Sequence, residues 1–343
     1  MGRKPSKEIQ VIRDTLRAMV GDGFRQPGQR FVSGRYVSFR FGISYQTAHL
    51  LLKELEHDGF LNRRIGSGTF ISGQKVRYRR ARIVFAKRAG REGSFGDFLL
   101  RQLVTSLEQQ RIEFIVTLQD IGDRDIGELD FPVIWERPEL VHSLAKQQRR
   151  CLVLHDLPPP GIASLFVDSV SVDNFSGGMT AGQILARLSP KRPVIVAGPL
   201  TDVRSALRTK GFLHIFPKAR VIELESWFVE SAQDKILPQL RSWSIDGLFC
   251  CSDRLAQATI ISYAHSQRPT PPLISFDNTP LAEKLRISAI GIPWERLCKE
   301  ATAIVKLRLA GHEEAASCHI LPPQPVLRIL KKQIFEYPEE LKR

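Results

Sequence analysis

The sequence predicts a small α+β unit at the amino terminus and a large α/β unit after it. The length of 343 residues exceeds the roughly 100–200 residues usual for one domain. Residues 1–80 contain 16 Lys and Arg against 6 Asp and Glu, whereas residues 81–343 contain 34 against 30. From Arg82 onward, apolar runs rich in β-branched residues alternate with helical patterns. A small basic unit beside a nearly balanced one indicates a reader of a polyanion joined to another function.

The composition argues against several classes of protein. The five cysteines have neither CxxC nor Cys/His metal spacing, so we expect no disulfide framework, no metal and no cofactor, and we expect the cysteines to be buried. No stretch approaches the ~18 apolar residues of a membrane span, and residues 1–10 are charged and lack an apolar signal core. The sequence therefore predicts a cytoplasmic protein with no membrane partner.

Three helices are predicted in the first seventy residues. The first follows Ser6, ends at Gly21 and has one apolar stripe at helical spacing, formed by Ile9, Ile12, Leu16, Met19 and Val20. The second runs from about residue 33 to 41 and buries Val37 and Phe41. The third is capped by Ser44 and stopped by Gly59, and its inward face consists of Ala48, Leu51, Leu52 and Leu55.

The outward face of the third helix carries polar and aromatic residues in its first turns: Tyr45, Gln46, His49 and Lys53. A helix that enters the major groove of DNA uses its amino-terminal residues, where side chains reach base edges and backbone amides meet phosphates. Gln reads adenine bidentately, and Tyr or His bonds bases or phosphates. The alternative is an ordinary solvated face.

A basic hairpin is predicted directly after the third helix. Residues 60–64 and 69–71 alternate like two short strands, and residues 65–68 form a glycine-rich tip. Beside a groove-reading helix, such a hairpin places Arg63 and Arg64 along phosphates and its small tip in the minor groove. An isolated hairpin would explain the glycines but not the charge.

The segment "RFVSGRYVSFRFGISYQTAHLLLKELEHDGFLNRRIGSGTFIS" resembles the winged helix-turn-helix of the GntR family of bacterial repressors. The matching motifs are the Ser-x-Arg before the second helix, Gly-x-Ser-x-x-Thr before and within the third, and Gly-x-Gly-Thr-Phe in the wing. The resemblance and the exposed helix face together imply a DNA-binding set of Ser33, Arg35, Ser44, Tyr45, Gln46, Thr47, His49, Lys53, Arg63, Arg64, Gly66 and Ser67. The chain departs from the family at Gly34, where Glu is usual, and at Tyr45 and His49, which are often Arg, so two expected guanine readers are absent.

The large unit is predicted as a βαβ succession. Strands are expected at "RIVFA", "EFIVTL", "CLVL", "LFVDSVSVD", "RPVIVAG", "RVIEL", "GLFCC" and "PLISF", with helices at 96–110, 137–148, 176–188, 202–215, 231–241 and 253–266. The polar, basic stretch before it is predicted to be a linker. The predicted domains are residues 1–72, a linker at 73–82, the large unit at 83–330 and a tail at 331–343.

Several segments of the large unit resemble the effector domain of LacI/GalR-type regulators, among them "SVDNFSGGMTAGQILARL", "DGLFCCSDRLAQATI" and "LISFDNTPLAE". The resemblance implies an α/β periplasmic-binding-protein-like domain of two parallel-sheet lobes, with three crossings between lobes. Residues 82 to ~170 and ~292–318 would form the first lobe and the remainder the second.

The same resemblance implies a ligand cleft with Arg208 and Asp277 at its centre. A guanidinium and a carboxylate bracket vicinal hydroxyls, because each bonds two oxygens. Trp227 would stack on the apolar face of a sugar, and Asp97 lies in the first loop, where ligand contacts are also usual. Further candidates are Asp253, Ser252, Asp156 and Phe95. Each has a structural alternative: Asp277 as the cap of the following helix, Arg208 paired on the surface of its own helix, and Trp227 in the core.

Both resemblances together imply a homodimeric bacterial transcription regulator of the cytoplasm and nucleoid. It would repress carbohydrate utilisation genes from a palindromic operator in double-stranded DNA, under control of a small sugar-like effector. It would not be an enzyme, because the sequence has no Gly-x-Ser-x-Gly elbow, P-loop, His-Glu-x-x-His helix or lysine in a pyridoxal setting. The alternatives are a GntR-type head fused to an aminotransferase-type domain, a sensor of a non-sugar ligand, and a solute-binding transport component.

Overall fold

The structure is a computed structural model, and it describes residues 7–21, 28–64, 66–72, 78–227, 236, 238–239, 244–312 and 314–328. The chain divides into two compact units. The first is drawn from residues 1–81, 126–131 and 305–314, and the second from residues 82–125, 132–304 and 315–343.

The first unit contains three helices and a hairpin. Its elements are α1 (Lys7–Gly21), α2 (Gly34–Phe41), α3 (Tyr45–His57), β1 (Leu61–Arg64) and β2 (Gly68–Ile71). The Ser33 hydroxyl accepts the Tyr36 N–H, and the Ser44 hydroxyl accepts the Thr47 N–H. Each serine thereby satisfies an amide that has no partner inside its helix, and the predicted starts of α2 and α3 are confirmed.

The apolar stripes of the three helices form one core. Ile12, Leu16 and Val37 are buried with the four predicted inward residues of α3. Phe41 is only half-buried, contrary to prediction, as it is the last residue of α2 and packs at the edge of this core.

The hairpin pairs in antiparallel register from Leu61 with Ile71 to Arg64 with Gly68. The tip glycines Gly66 and Gly68 have φ of 75° and 116°, values that side chains disfavour, as the glycine-rich sequence predicts. Beyond the prediction, Arg30 forms a bridge with Phe70, and the Phe31 N–H donates to the Thr69 carbonyl at 2.7 Å.

The second unit has two six-stranded sheets, one for each lobe. The first sheet has the order β13-β7-β6-β5-β3-β4. Its strands are β3 (Arg80–Phe85), β4 (Phe114–Thr117), β5 (Asp130–Trp135), β6 (Cys151–Leu154), β7 (Val167–Val172) and β13 (Cys318–Leu321). The first two residues of β3 and of β5 are assigned to the first unit. Its helices are α4 (Phe95–Gln109), α5 (Pro138–Lys146) and α10 (Trp294–Leu309). Helix α10 contacts α4, where the Thr302 hydroxyl lies 2.8 Å from that of Ser106.

The second sheet has the order β14-β12-β11-β10-β8-β9 and is parallel except at β14. Its strands are β8 (Pro193–Ala197), β9 (Arg220–Glu223), β10 (Gly247–Cys250), β11 (Leu273–Asp277), β12 (Ser288–Gly291) and β14 (Gln324–Val326). Its helices are α6 (Asn174–Ala186), α7 (Val203–Ile215), α8 (Asp253–His265) and α9 (Pro280–Lys284).

The chain crosses between the two sheets three times, after β7, after β12 and after β13. The predicted crossings are therefore confirmed, although β13 extends the first lobe to Leu321. Strand β5 is absent from the predicted strands, and it is a continuous buried run with Pro132 inside it, a residue usually confined to edges. The predicted helix at 231–241 lies largely outside the described residues. Four cysteines are buried as expected, but Cys318 is exposed.

Helices α6 and α7 approach each other closely through two glycines. A Cβ added at Gly178 would lie 2.1 Å from the Arg208 carbonyl oxygen, and one at Gly211 would lie 2.1 Å from the Phe175 carbonyl oxygen. Backbone at that distance cannot move aside as a flexible side chain would, so both positions require glycine.

We expect Gly178→Ala and Gly211→Ala each to lower the free energy of unfolding by at least ~1–3 kcal/mol, because the added methyl group forces the two helices apart. Urea unfolding of the purified chain measures this. Gly122→Ala is the matched control, because its nearest neighbour would be a side-chain oxygen at 3.7 Å. Equal stability of all three variants would contradict the close-approach interpretation.

Candidate functional site

A cavity lies between the two lobes of the second unit. The first lobe contributes Arg88, Ser94, Phe95, Gly96, Trp135 and His155, and the second contributes Arg204, Arg208, Trp227, Ser252, Arg254 and Asp277. The cavity has a volume of about 70 Å³. This is well below the ~300 Å³ at which typical ligand pockets begin, so the lobes are closed on each other in this structure.

The topology explains why these residues meet. Trp135 and Asp277 end β5 and β11, and His155 directly follows β6. The carboxyl ends of parallel strands lie at one edge of a sheet, and each lobe turns that edge toward the other lobe. Ser94 and Ser252 cap α4 and α8, so the first turns of two helices from opposite lobes also border the cavity.

Arg208 is the most highly connected side chain of the cavity wall, and it is 2 % exposed. Its Nε donates to Asn174 Oδ1 at 2.8 Å, and its Nη1 donates to the Cys251 carbonyl at 2.6 Å and to Asp277 Oδ1 at 3.0 Å. Its guanidinium carbon lies 3.7 Å from the centroid of the Phe276 ring. Burial lowers the pKa of Arg208, but the carboxylate and the carbonyl keep its charge satisfied.

Asp277 combines burial with an unusual backbone. Its φ is 101°, which is rare for a residue with a side chain, and its carbonyl accepts the Trp294 Nε1 proton at 3.1 Å. Burial raises the pKa of Asp277, and the neighbouring Arg208 opposes that shift. Rare backbone conformations of this kind persist where the surrounding structure fixes them, commonly at binding sites.

A second charged network joins the lobes around Glu136. This carboxylate, just after β5, accepts hydrogen bonds from Arg88 and, at 2.5 Å, from Nη2 of Arg204. Arg204 also contacts Asp202 at 2.6 Å, and Asp202 accepts the Trp227 Nε1 proton at 3.1 Å. Burial and the positive charge of Arg204 lower the pKa of Arg88 to about 10.

Two further contacts link the lobes. Arg254 Nη2 on α8 donates to the Gly93 carbonyl at 2.9 Å, and Arg208 Nη2 lies 3.3 Å from His155 Nε2. Arginine has no acceptor, so His155 Nε2 accepts and the ring proton is on Nδ1, which has no partner among the described residues. Burial and the nearby arginines lower the pKa of His155, so this imidazole is neutral.

The predicted effector residues occupy three settings. Five of them line the cavity: Arg208, Asp277, Trp227, Ser252 and Phe95. Asp253 instead turns inward, where it accepts from the Ser275 hydroxyl at 2.6 Å and from the backbone and hydroxyl of Thr279. Asp156 borders a separate pocket. The assignment of these residues to ligand contact stays a prediction.

Asp97 and Asp253 bind groups within the protein and do not line the cavity. Asp97 accepts the Gly93 N–H at 2.9 Å and pairs with Arg101. Burial, followed by the charge of Asp277, raises the pKa of Asp253 to about 7. The structural alternatives do not apply as predicted: Arg208 is in an ion pair, but a buried one, and Thr279 takes the N-cap position of the helix after Asp277. Trp227 is half-buried beside Gly198.

Seven residues of the cavity wall were not predicted: Arg88, Ser94, Gly96, Trp135, His155, Arg204 and Arg254. These residues share a position in the fold that the sequence could have indicated. Most of them follow the carboxyl end of a strand or lie in the first turns of the next helix. Arg254 directly follows the predicted pair Ser252 and Asp253. Trp135 ends the strand that was missed.

The predicted DNA-binding residues of the first unit lie mostly on its exposed surface. Exposed members are Ser33, Arg35, Ser44, Tyr45, Gln46, Lys53, Arg64, Gly66 and Ser67, whereas Thr47, His49 and Arg63 are half-buried. Ser33, Ser44 and Thr47 are engaged at helix starts. Arg63 Nη1 lies 3.3 Å from His49 Nε2, so the outward face of α3 is adjacent to β1.

Two aromatic contacts shape that face. The Tyr45 and His49 ring centroids are 6.3 Å apart, and the Tyr45 ring lies against Gly34, where a Cβ would be 3.2 Å from Cε2. Arg64 lies above the Phe70 ring at 5.1 Å.

The described residues contain no group of acidic, histidine or cysteine side chains arranged to hold a metal ion. Within that same part of the chain, no helix is long and apolar enough to cross a membrane.

We expect the free energy of unfolding to fall as the pH drops below ~6.5, with His155 contributing up to ~1.4 kcal/mol per pH unit. The pKa of His155 is lowered by folding, so in this range the unfolded chain binds a proton that the folded chain does not. Urea unfolding at pH 7.5, 6.5 and 5.5 measures the slope. His155→Asn should flatten it, and His142→Asn, at an exposed histidine, should not. An unchanged slope in His155→Asn would rule out a neutral His155.

Comparison with known proteins agrees with this architecture. Residues 184–329 match the family model described as a periplasmic binding protein-like domain. The comparison with curated proteins gives no match. Similar solved structures include a LacI-family transcriptional regulator from Enterococcus faecium with bound ribose, at 20 % identity and a TM-score of 0.62. The alignment covers 75 % of this chain and 100 % of that chain.

Two further structures are also similar. The transcriptional regulator CelR in complex with cellobiose has 17 % identity and a TM-score of 0.63, covering 95 % of this chain and 100 % of that chain. A LacI transcriptional regulator from a Rhodococcus species has 16 % identity and a TM-score of 0.60, covering 74 % of this chain and 98 % of that chain. The second unit therefore has the two-lobed, parallel-sheet α/β fold of periplasmic-binding-protein-like domains, the fold found in these LacI-family regulators.

Proposed function

We propose that this chain is a sequence-specific, ligand-responsive DNA-binding transcription regulator of the bacterial cytoplasm. A winged helix-turn-helix of GntR type, residues 1–72, reads an operator, and a cleft in the second unit binds a small effector. The observation that carries this proposal is the contact of Arg63 with His49. It joins the outward face of α3 to a basic hairpin with a glycine tip.

The geometry of the first unit supports DNA reading. Tyr45 and Gln46 are exposed at the amino-terminal end of α3, where the helix dipole and free amides favour phosphate. Arg64 is exposed on the adjoining strand, in reach of a flanking phosphate. Residues 1–80 carry ten more basic than acidic side chains, which supplies the sequence-independent attraction.

The predicted DNA-reading face of this chain differs from that of the GntR family at positions that contact each other. The family's Glu is Gly34 here, and the ring of Tyr45 occupies the space beside it. The face thus presents the phenol ring of Tyr45 and the imidazole of His49 in place of arginines, beside the amide of Gln46. We infer that adenine and thymine methyl contacts contribute more to its specificity than the bidentate guanine contacts typical of Arg.

The cleft supports a hydroxyl-rich effector. Arg208 and Asp277 present a buried donor fork and an acceptor side by side, and Trp227 offers an apolar ring on the same wall. Regulators of similar fold bind ribose and cellobiose in their solved complexes. A ligand shifts the lobes only by binding one arrangement more tightly than another, and the closed wall described above supplies such an arrangement.

A homodimer on a palindromic operator completes the proposal. A single winged helix reads a short half-site, and two half-sites on one face of the duplex multiply specificity because both must match. Repression of carbohydrate utilisation genes, relieved by the effector, is the role proposed for the dimer.

We expect DNA selection from a random pool to yield a palindrome that the full chain binds with a Kd that rises steeply with salt. Gln46→Ala should cost ~1–3 kcal/mol at one position of each half-site, and Arg64→Ala should weaken binding to all sequences while reducing the salt slope by about one. Electrophoretic mobility shift at several salt concentrations measures both effects. Arg101→Ala, an exposed arginine of the second unit, is the control and should bind as the wild type does. Failure to select any sequence would refute the proposal.

We expect any hydroxylated ligand that raises the melting temperature of the full chain to bind at least tenfold more weakly to Asp277→Asn, because a buried charged hydrogen bond is lost. Thermal shift followed by titration calorimetry measures this. Asp156→Asn is the matched control, because that carboxylate borders a different pocket. A ligand whose affinity survives Asp277→Asn would move the effector site away from this cleft.

A further inference from the structure

Guanidinium groups dominate the polar wall of the cleft. Arg88, Arg204, Arg208 and Arg254 line the cavity, whereas Asp277 is its one lining carboxylate among the described residues. A wall built only to bracket sugar hydroxyls needs a single arginine and an acceptor. Four cationic groups around a cavity of about 70 Å³ indicate a different partner.

The carboxylates that balance two of these arginines do not line the cavity. Glu136 accepts from Arg88 and Arg204, and Asp202 contacts Arg204 at 2.6 Å, yet neither carboxylate is part of the cavity wall. Each ion pair therefore turns its positive end toward the cavity. Burial lowers the pKa of His155, and the positive charges of three of these arginines lower it further, which agrees with a positive potential at the wall.

Helix starts from both lobes add to this potential. Ser94, Phe95 and Gly96 begin α4 on one side of the cavity, and Ser252 and Arg254 begin α8 on the other. Both helices exceed twelve residues, and their first-turn amides carry partial positive charge. The Ser94 hydroxyl donates to the Arg88 carbonyl at 3.1 Å, which holds Arg88 beside the start of α4.

The wall also contains a buried donor without an acceptor. Trp135 is 1 % exposed and lines the cavity, and its Nε1 has no partner among the described residues. An indole N–H only donates, so Trp135 adds to the excess of donors over acceptors in this wall. The four guanidinium groups and the two helix starts give this wall an excess of positive charge, which favours an anionic ligand.

From this juxtaposition we propose that the effector is a hydroxylated anion, a sugar or polyol that carries a phosphate or a carboxylate. The anionic group lies between the starts of α4 and α8, beside Arg88 and Arg254. The hydroxyl groups face Arg208 and Asp277. This inference rests on the proposed function and specifies the chemistry of its effector.

The test compares anionic sugars with their neutral parents on the full chain by titration calorimetry. The pairs are ribose 5-phosphate with ribose, glucose 6-phosphate with glucose, and glucuronate with glucose. In at least one pair the anionic member should bind at least tenfold more tightly, and this ratio should shrink at least threefold between 50 and 500 mM salt. The phosphate and carboxylate pairs distinguish the two sources of charge.

Substitutions at Arg254 distinguish the effect of its charge from an effect on packing. Arg254→Gln should bring the ratio within a pair below threefold, and Arg254→Lys should restore most of it. A purely structural loss would weaken both members of a pair equally and leave the ratio unchanged. Arg296→Gln, an exposed arginine on α10 with the same change of charge, is the control and should keep the full ratio.

Neutral parents that bind as tightly as their anionic partners, or the absence of binding by every pair, would overturn the inference. Mobility shift of selected operator DNA, measured on the same preparation, separates this outcome from failure of the proposed function. DNA binding that responds to a neutral sugar would leave the regulator intact and remove the anionic effector. A chain that binds no DNA would remove the regulator, whatever the ligand pairs show.

Discussion

The second unit depends on the burial of one guanidinium group. A charged side chain that is 2 % exposed is costly unless it is paired and hydrogen-bonded, and Arg208 makes hydrogen bonds with groups from four elements. Asn174, the Cys251 carbonyl, Asp277 and His155 come from α6, the end of β10, β11 and the end of β6. The register of both sheets is therefore fixed at their carboxyl edges, where the cavity lies.

The glycine contact between α6 and α7 serves the same end. Gly178 lets the backbone of α6 approach the Arg208 carbonyl directly, and this sets how deep the guanidinium reaches into the lobe. A larger residue would displace α7 and with it two of the four arginines of the wall. The close packing of α6 on α7 therefore also determines where two of the arginines of the cavity wall lie.

Much of the first unit could be predicted because its determinants are local. Ser33 and Ser44 precede the helices that they cap, and the glycines of the hairpin tip lie at the turn they permit. The cleft was harder to predict, since Glu136 and Arg204 are 68 residues apart and meet only through sheet topology. Strand β5 was missed because its six buried residues do not alternate and contain a proline, and the residues that follow β5 were missed with it.

Arg208 and Asp277 were found from a motif resemblance, and the structure places them side by side in the cavity wall. Their partners on the other lobe had no comparable motif. His155 is an isolated histidine in the sequence, and its significance comes from its place after β6, one strand from β5. A rule that inspects the residue after each predicted parallel strand would have found it.

The three arginine contacts between the lobes also affect how fast the lobes can separate. In the proposed regulator, an effector enclosed between the lobes would leave once Arg204, Arg208 and Arg254 release Glu136, His155 and the Gly93 carbonyl. Breaking several polar contacts together is slower than diffusion out of an open groove, so opening of the lobes would limit how fast such an effector leaves. A regulator of the proposed kind would therefore respond to the loss of its effector with a delay that is set by the opening of the lobes.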